Sequence, residues 1–197
     1  MNRLLTQAFL VTLLLSKVYA QIDPTELEKV SKFIPNGYSV LRFAQGDLNN
    51  DNIDDLILVL NKKGEESLST SEHPLKRKLL ILIEQPDTSY ILAAQNENVV
   101  YYYNYDPNFK DAFVDLNIKK GMFSIDHYGG FAQRWGRTTV FKYNASAKKW
   151  YLTKYAFETF ESTDIGKTTK EKTYTVRDFG NTAFENFDIY KERKSNN

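Results

Sequence analysis

Apolar residues recur at helical spacing at the start of the chain's central part and then switch to a period of two. Leu27, Val30 and Phe33 or Ile34 form one stripe, which predicts a helix that packs this stripe on a sheet. Asp23 suits the N-cap, Pro24 the first helical position and Glu26 the return half of a capping box, while Pro35-Asn36-Gly37 stops the helix. Alternation then predicts strands over residues 38–44 and 56–60. The unbroken apolar run 79–83 is expected to be a strand buried on both faces, paired through a turn at 85–89 with a strand over 90–94. Residues 62–77, charged and rich in Ser and Thr, read as an exposed mobile loop.

The second half reads as a meander of four antiparallel strands over 114–118, 122–128, 134–143 and 150–157, with turns at Lys119-Lys120-Gly121, Gly129-Gly130 and 144–149. Residues 161–172 are polar and lack a period; the aromatic positions between 178 and 190 fit a short helix or a strand. The expected fold is therefore mainly β with one N-terminal helix (α+β), an antiparallel sheet or meander in a single domain over 21–190, with 191–197 a fraying, disordered tail.

What precedes residue 21 changes the setting. Arg3 gives a positive start, Leu4 to Leu15 is mostly apolar, and Val18-Tyr19-Ala20 ends on the small residue that signal peptidase requires. Residues 1–20 are read as a cleaved signal peptide, since an apolar run of about a dozen residues falls short of the roughly 20 that span a bilayer. The expected location is exported, periplasmic or extracellular, with no stable membrane insertion after cleavage. The chain has no Cys, so thiol nucleophiles, thiolate metal sites and disulfides are excluded. Basic and acidic residues number 26 and 25, and losing Arg3 and Lys17 with the leader tips the balance slightly negative, which argues against nucleic acid as a partner.

Between the first two strands lies Gly46-Asp47-Leu48-Asn49-Asn50-Asp51-Asn52-Ile53-Asp54-Asp55-Leu56. Asp47, Asn49, Asp51 and Asp55 occupy positions 1, 3, 5 and 9 of a tight loop, and the Ile53 carbonyl supplies position 7. This is ligand spacing for calcium, a hard cation that takes six to eight oxygens at about 2.4 Å. Three carboxylates within nine residues repel one another until a cation neutralises them. Asp54, at position 8, points away. Position 6 must turn sharply, and Asn52 stands where Gly is usual. Leu58 at position 12, in place of Glu, rules out an EF-hand.

The segment 46–56 resembles the G-D-x-N-x-D-G-x-x-D-L loop of FG-GAP or integrin-α-type repeats, which bind Ca²⁺ in the blades of a β-propeller. The sequence holds one copy, so the resemblance implies the loop and not a full propeller, which needs about 4 to 8 blades. With the segment Asn96 to Val100, the run Phe123-Ser124-Ile125-Asp126-His127-Tyr128-Gly129-Gly130, Arg134-Trp135 and Phe141-Lys142-Tyr143, residues 46–155 are more loosely similar to a group of uncharacterised exported bacterial proteins without an assigned activity; this implies export and β-rich architecture and offers no catalytic residue.

Two other features bear on chemistry. His127 lies within a predicted strand near Asp126 and Arg134, but alternation sends Asp126 and His127 to opposite faces, so His127 reads as a structural residue sharing a face with Phe123 and Ile125. The Tyr-rich run 101–105 offers rings for packing, or for stacking on a sugar or partner. The reading is an exported globular protein with one calcium loop, a non-enzymatic binding or interaction module for a protein or glycan. The alternative is an exported, glycosidase-like hydrolase whose carboxylates come from several strands.

Overall fold

A computed structural model describes residues 22–191, so the expected signal peptide and residues 192–197 of the expected tail lie outside the described residues. Two antiparallel sheets make the fold. The first has order β1 (Tyr38–Gly46), β2 (Asp55–Lys62), β3 (Lys78–Glu84), β4 (Tyr90–Asn96). The second has order β5 (Phe113–Lys119), β6 (Met122–Gly130), β7 (Gln133–Asn144), β8 (Lys149–Glu161), β9 (Lys170–Thr175). The expected mainly β fold with one N-terminal helix, α1 (Pro24–Val30), is what forms.

The layering follows from alternation along two apolar strands. In β2 and β3, Leu56, Leu58, Leu60, Leu80 and Leu82 pack with Val30 and Tyr90 on the α1 side. Ile57, Val59, Leu79, Ile81 and Ile83 point the other way, into a larger core with Phe123, Ile125, Phe141, Trp150 and Leu152 of the second sheet. Both central strands are thus sandwiched, which is why they read as continuous apolar runs. Asp23 caps α1 as expected, accepting a bond from the Thr25 N–H at 2.8 Å. Glu26 is used differently from the capping-box expectation: it pairs with Lys29 at 2.7 Å and accepts from the Tyr90 hydroxyl at 2.9 Å, tying the helix to β4.

Three expectations are corrected. Residues 62–77 hold a short helix, α2 (Glu65–Leu68), and a fully buried Arg77 that bonds Glu65 at 2.7 Å, Asp111 at 2.8 Å and the Tyr101 carbonyl at 3.2 Å. Most of the segment is exposed as expected, but Glu65, Ser69 and Arg77 are buried and the charge-paired Arg77 anchors it to the core. The second sheet has a fifth strand, β9, which starts at the end of the stretch that lacked a period and pairs with β8; as an exposed edge strand it has no buried face to impose alternation. The turn expected at Gly129-Gly130 falls at Phe131 and Ala132, because Gly129 stays in β6 opposite Trp135 and its missing Cβ leaves room for the indole.

Of the short helix or strand expected between 178 and 190, the short helix forms, as one 3-10 turn at Phe184–Asn186. After the short helices α3 (Ile165–Thr168) and α4 (Val176–Phe179), residues 183–189 enter the larger core through Phe184, Phe187 and Ile189. Asn96 fastens them, donating to the carbonyls of Phe184 and Phe187.

Candidate metal centre

The loop between β1 and β2 is closed by the Gly46–Asp55 pair and folded around Asp47. One Asp47 oxygen accepts the N–H groups of Asn50 at 2.7 Å and Asp51 at 3.2 Å, and the other that of Asn52 at 3.1 Å. Asn49 Oδ1 accepts from the Asp51 N–H at 2.9 Å, and Asp51 Oδ1 from the Ile53 N–H at 2.8 Å. Such wrapping requires positive φ at two places, and Asn supplies both: Asn50 at 66° and Asn52 at 69°.

Asp55 stands apart from its partners in the loop. It is fully buried, accepting the Leu48 N–H at 2.9 Å and the Glu84 N–H at 3.1 Å, so it joins the loop to β3. Burial pushes its carboxyl up to about 6; those two hydrogen bonds pull the other way, and the charges of Asp51 and Asp47 add to the rise.

The loop also bridges the two sheets. Leu48 is fully buried in the larger core, its carbonyl accepting from Trp150 Nε1 at 3.1 Å, and the Asp47 carbonyl accepts from the Gly121 N–H at 2.9 Å. Lys120, beside Gly121, reaches the loop: its Nζ lies 3.7 Å from Asp47 Oδ2 and 2.7 Å from Asn52 Oδ1. The sequence reading missed this lysine, which is remote in the chain and arrives on the β5–β6 turn. It partly neutralises the acids, so their repulsion is smaller than the sequence alone implies.

The donor set suits a hard cation chemically. Each carboxylate has about four lone-pair directions, and the N–H bonds take only some of them. Among the described residues no three His, Cys, Asp or Glu side chains are already gathered as a metal cluster. Coordination would therefore need Asp51, which is exposed, to turn inward beside Asp47 and Asp55. Asp54 is exposed as well.

His127 is buried, at 3 % exposure, on the face it shares with Phe123 and Ile125. Its Nε2 accepts the Tyr101 N–H at 3.3 Å, and its buried Nδ1 has no hydrogen-bond partner among the described residues. Burial, with the positive Arg77 nearby, drives its pKa down to about 3, so the ring is neutral. Asp126 turns to the opposite face and accepts from Thr138 at 2.6 Å. His73 is exposed. The Tyr-rich run is a packed turn: Tyr101 stacks on Tyr105 with centroids 3.6 Å apart, and Tyr102 stacks on Tyr190.

No family model matches the chain, and neither a curated protein nor a solved structure matches it. Among the described residues no helix is long and apolar enough to cross a membrane.

Proposed function

We propose that the protein is an exported, non-enzymatic binding module for a protein or glycan ligand, whose loop takes Ca²⁺ through Asp47, Asn49, Asp51, the Ile53 carbonyl and Asp55. The observation that carries this is the loop itself: five oxygen donors at alternate positions, wrapped about Asp47, at the seam between the sheets. Calcium there would lock β1 and β2 to the β5–β6 turn, which is a structural service and needs no substrate.

Modules of extracellular type bind calcium near 10⁻⁴ to 10⁻³ M, so about 10 mM calcium adds roughly 1.5 to 3 kcal/mol of stability. Thermal melts of the protein in calcium and in EDTA should differ by several degrees. Asp51→Ala should erase the difference and Asp54→Ala should keep it; superimposed wild-type curves would remove the metal from the account. Export is checked by intact mass, where secreted protein is expected to begin at Gln21.

The hydrolase reading requires a second carboxylate facing a substrate. It is tested by chromatography of incubated oligosaccharides, where shortened products would favour it over the binding module.

A further inference from the structure

The inner face of the second sheet leaves the core near the β6–β7 hairpin. Register sets its side chains out in rows, since directly paired residues of antiparallel strands share a face. His127, Arg137 and Phe157 form one row across β6 to β8, and Gly129, Trp135 and Thr159 form the next. Where these rows emerge, the turn at residues 105–108 and the hairpin tip at Phe131 and Ala132 wall off an open cleft of about 700 Å³. That volume lies within the range of small-ligand sites.

The aromatic part of the cleft is fixed in place. Trp135 lies across Gly129, where a Cβ would come within 2.5 Å of the indole and 2.6 Å of Asp106 Oδ2. The indole Nε1 donates to Asp106 at 2.8 Å, and Asp106 also takes the N–H groups of Gly130 and Asn108, each at 2.8 Å. Phe157 is diagonal to Trp135 in the register and lies beside it at a centroid distance of 6.5 Å and an interplanar angle of 22°, so the two rings make one platform. Phe131, 72 % exposed, stands at the rim.

The two charges that line the cleft are opposite in sign, and both are already engaged. Burial alone would raise the Asp106 carboxyl, but its three N–H bonds hold it below its ordinary value, so it is ionised. Arg137 donates to the Tyr101 hydroxyl and, at 3.3 Å, to the Ile189 carbonyl, and its guanidinium lies over the rings of Tyr101, Tyr155 and Phe157. It is thus a post within the fold and not a cation offered to a ligand. A ligand carboxylate would meet Asp106 and a ligand ammonium would meet Arg137, so either charge enters at a cost that an uncharged ligand avoids. Hydrogen-bonding capacity remains. The side-chain amides of Asn108 and Gln133, both exposed, have no hydrogen-bond partner among the described residues, and Asp106 Oδ1 accepts one N–H, which leaves room for a hydroxyl. Amides donate and accept and the carboxylate accepts, a match to hydroxyls, which do both. The flat, clamped rings suit the C–H face of a pyranose. Asp106 is the one carboxylate among the described residues lining the cleft, whereas cleavage of a glycosidic bond uses two.

We propose that this cleft binds an uncharged carbohydrate, one pyranose ring stacking on Trp135 and Phe157 while its hydroxyls bond the Asn108 and Gln133 amides and the Asp106 carboxylate. The proposal rests on the binding-module reading and names the ligand class and the place. Calorimetric titration of the full mature chain with cellotetraose, mannotetraose and galactotetraose tests it, each against the tetra-uronate of the same hexose, with a capped, uncharged glycine–tyrosine peptide as the protein-like probe. Saturable binding of at least one neutral sugar is expected, about tenfold tighter than its uronate. Trp135→Ala should weaken it about tenfold or more, and Phe131→Ala and Gln133→Ala, both at exposed positions that leave folding intact, by about threefold or more. Absence of binding to all three neutral sugars overturns the proposal, as does equal or tighter binding of the uronates or indifference to both exposed substitutions. Equal affinity for the peptide would overturn the sugar class and leave the binding module standing. Shortened oligosaccharide on chromatography would instead overturn the non-enzymatic reading while leaving the cleft as the sugar site.

Discussion

Asn50 and Asn52 carry the acidic loop through left-handed backbone, at φ 66° and 69°, so the residue in place of the usual Gly still performs the turn. At this scale His127 makes the clearest pH prediction. Its folded pKa, near 3, lies below the unfolded value of 6.5, so acid protonates the unfolded chain first. Stability is full above pH 6.5 and falls by about 1.4 kcal/mol per pH unit below it. Asp55 acts oppositely: its folded pKa of about 6 exceeds 3.8, and its protonation favours the folded state as pH falls through 6. Comparing His127→Gln with wild type by urea unfolding between pH 7 and 5, in EDTA, isolates the histidine. The variant should lose less stability on acidification, and parallel curves would refute the assignment. Asp47, Asp51 and the helix cap Asp23 were legible residue by residue because each acts on neighbours two to five positions away, whereas Asp55 reaches Leu48 and the remote Glu84.

At the scale of elements, β3 was legible as a doubly buried strand because burial on two faces demands apolar residues at every position, whereas β2, expected from alternation, is buried on both faces as well. The corrections arise where an element's reason for existing is remote. Arg77 looks like one more charge in a polar stretch, and only its partners Glu65, 12 residues back, and Asp111, 34 ahead, make it an anchor. Removing one side of a buried ion pair strands the other charge. Arg77→Ala is therefore expected to cost about 3 to 5 kcal/mol in urea unfolding. A loss under about 1 kcal/mol would return residues 62–77 to the status of a loose loop. The edge strand β9 was illegible for the opposite reason: nothing covers it closely enough to leave a pattern.

Across the whole molecule, the two cores depend on chain ends that approach from different directions. Residues on α1 close one side of the first sheet, and Phe184, Phe187 and Ile189 fill the junction on the other. Phe187→Ala should cost about 3 to 5 kcal/mol, whereas the exposed Phe131→Ala should stay within about 0.5 kcal/mol. Chemical denaturation of both variants checks the contrast, and equal losses would mean that the C-terminal segment is not part of the cooperative core.

The sequence by itself determined eight of the nine strands among the described residues, the helix with its cap, the doubly buried β3 and the spacing of loop oxygens, since each depends on period or on partners a few residues apart. Tertiary structure alone decided that Lys120 faces the acidic loop, that Arg77 is buried, and that Trp135, Arg137 and Phe157 line one cleft. These groups meet through strand register and sheet packing, and register links residues tens of positions apart through backbone hydrogen bonds that every residue type makes alike.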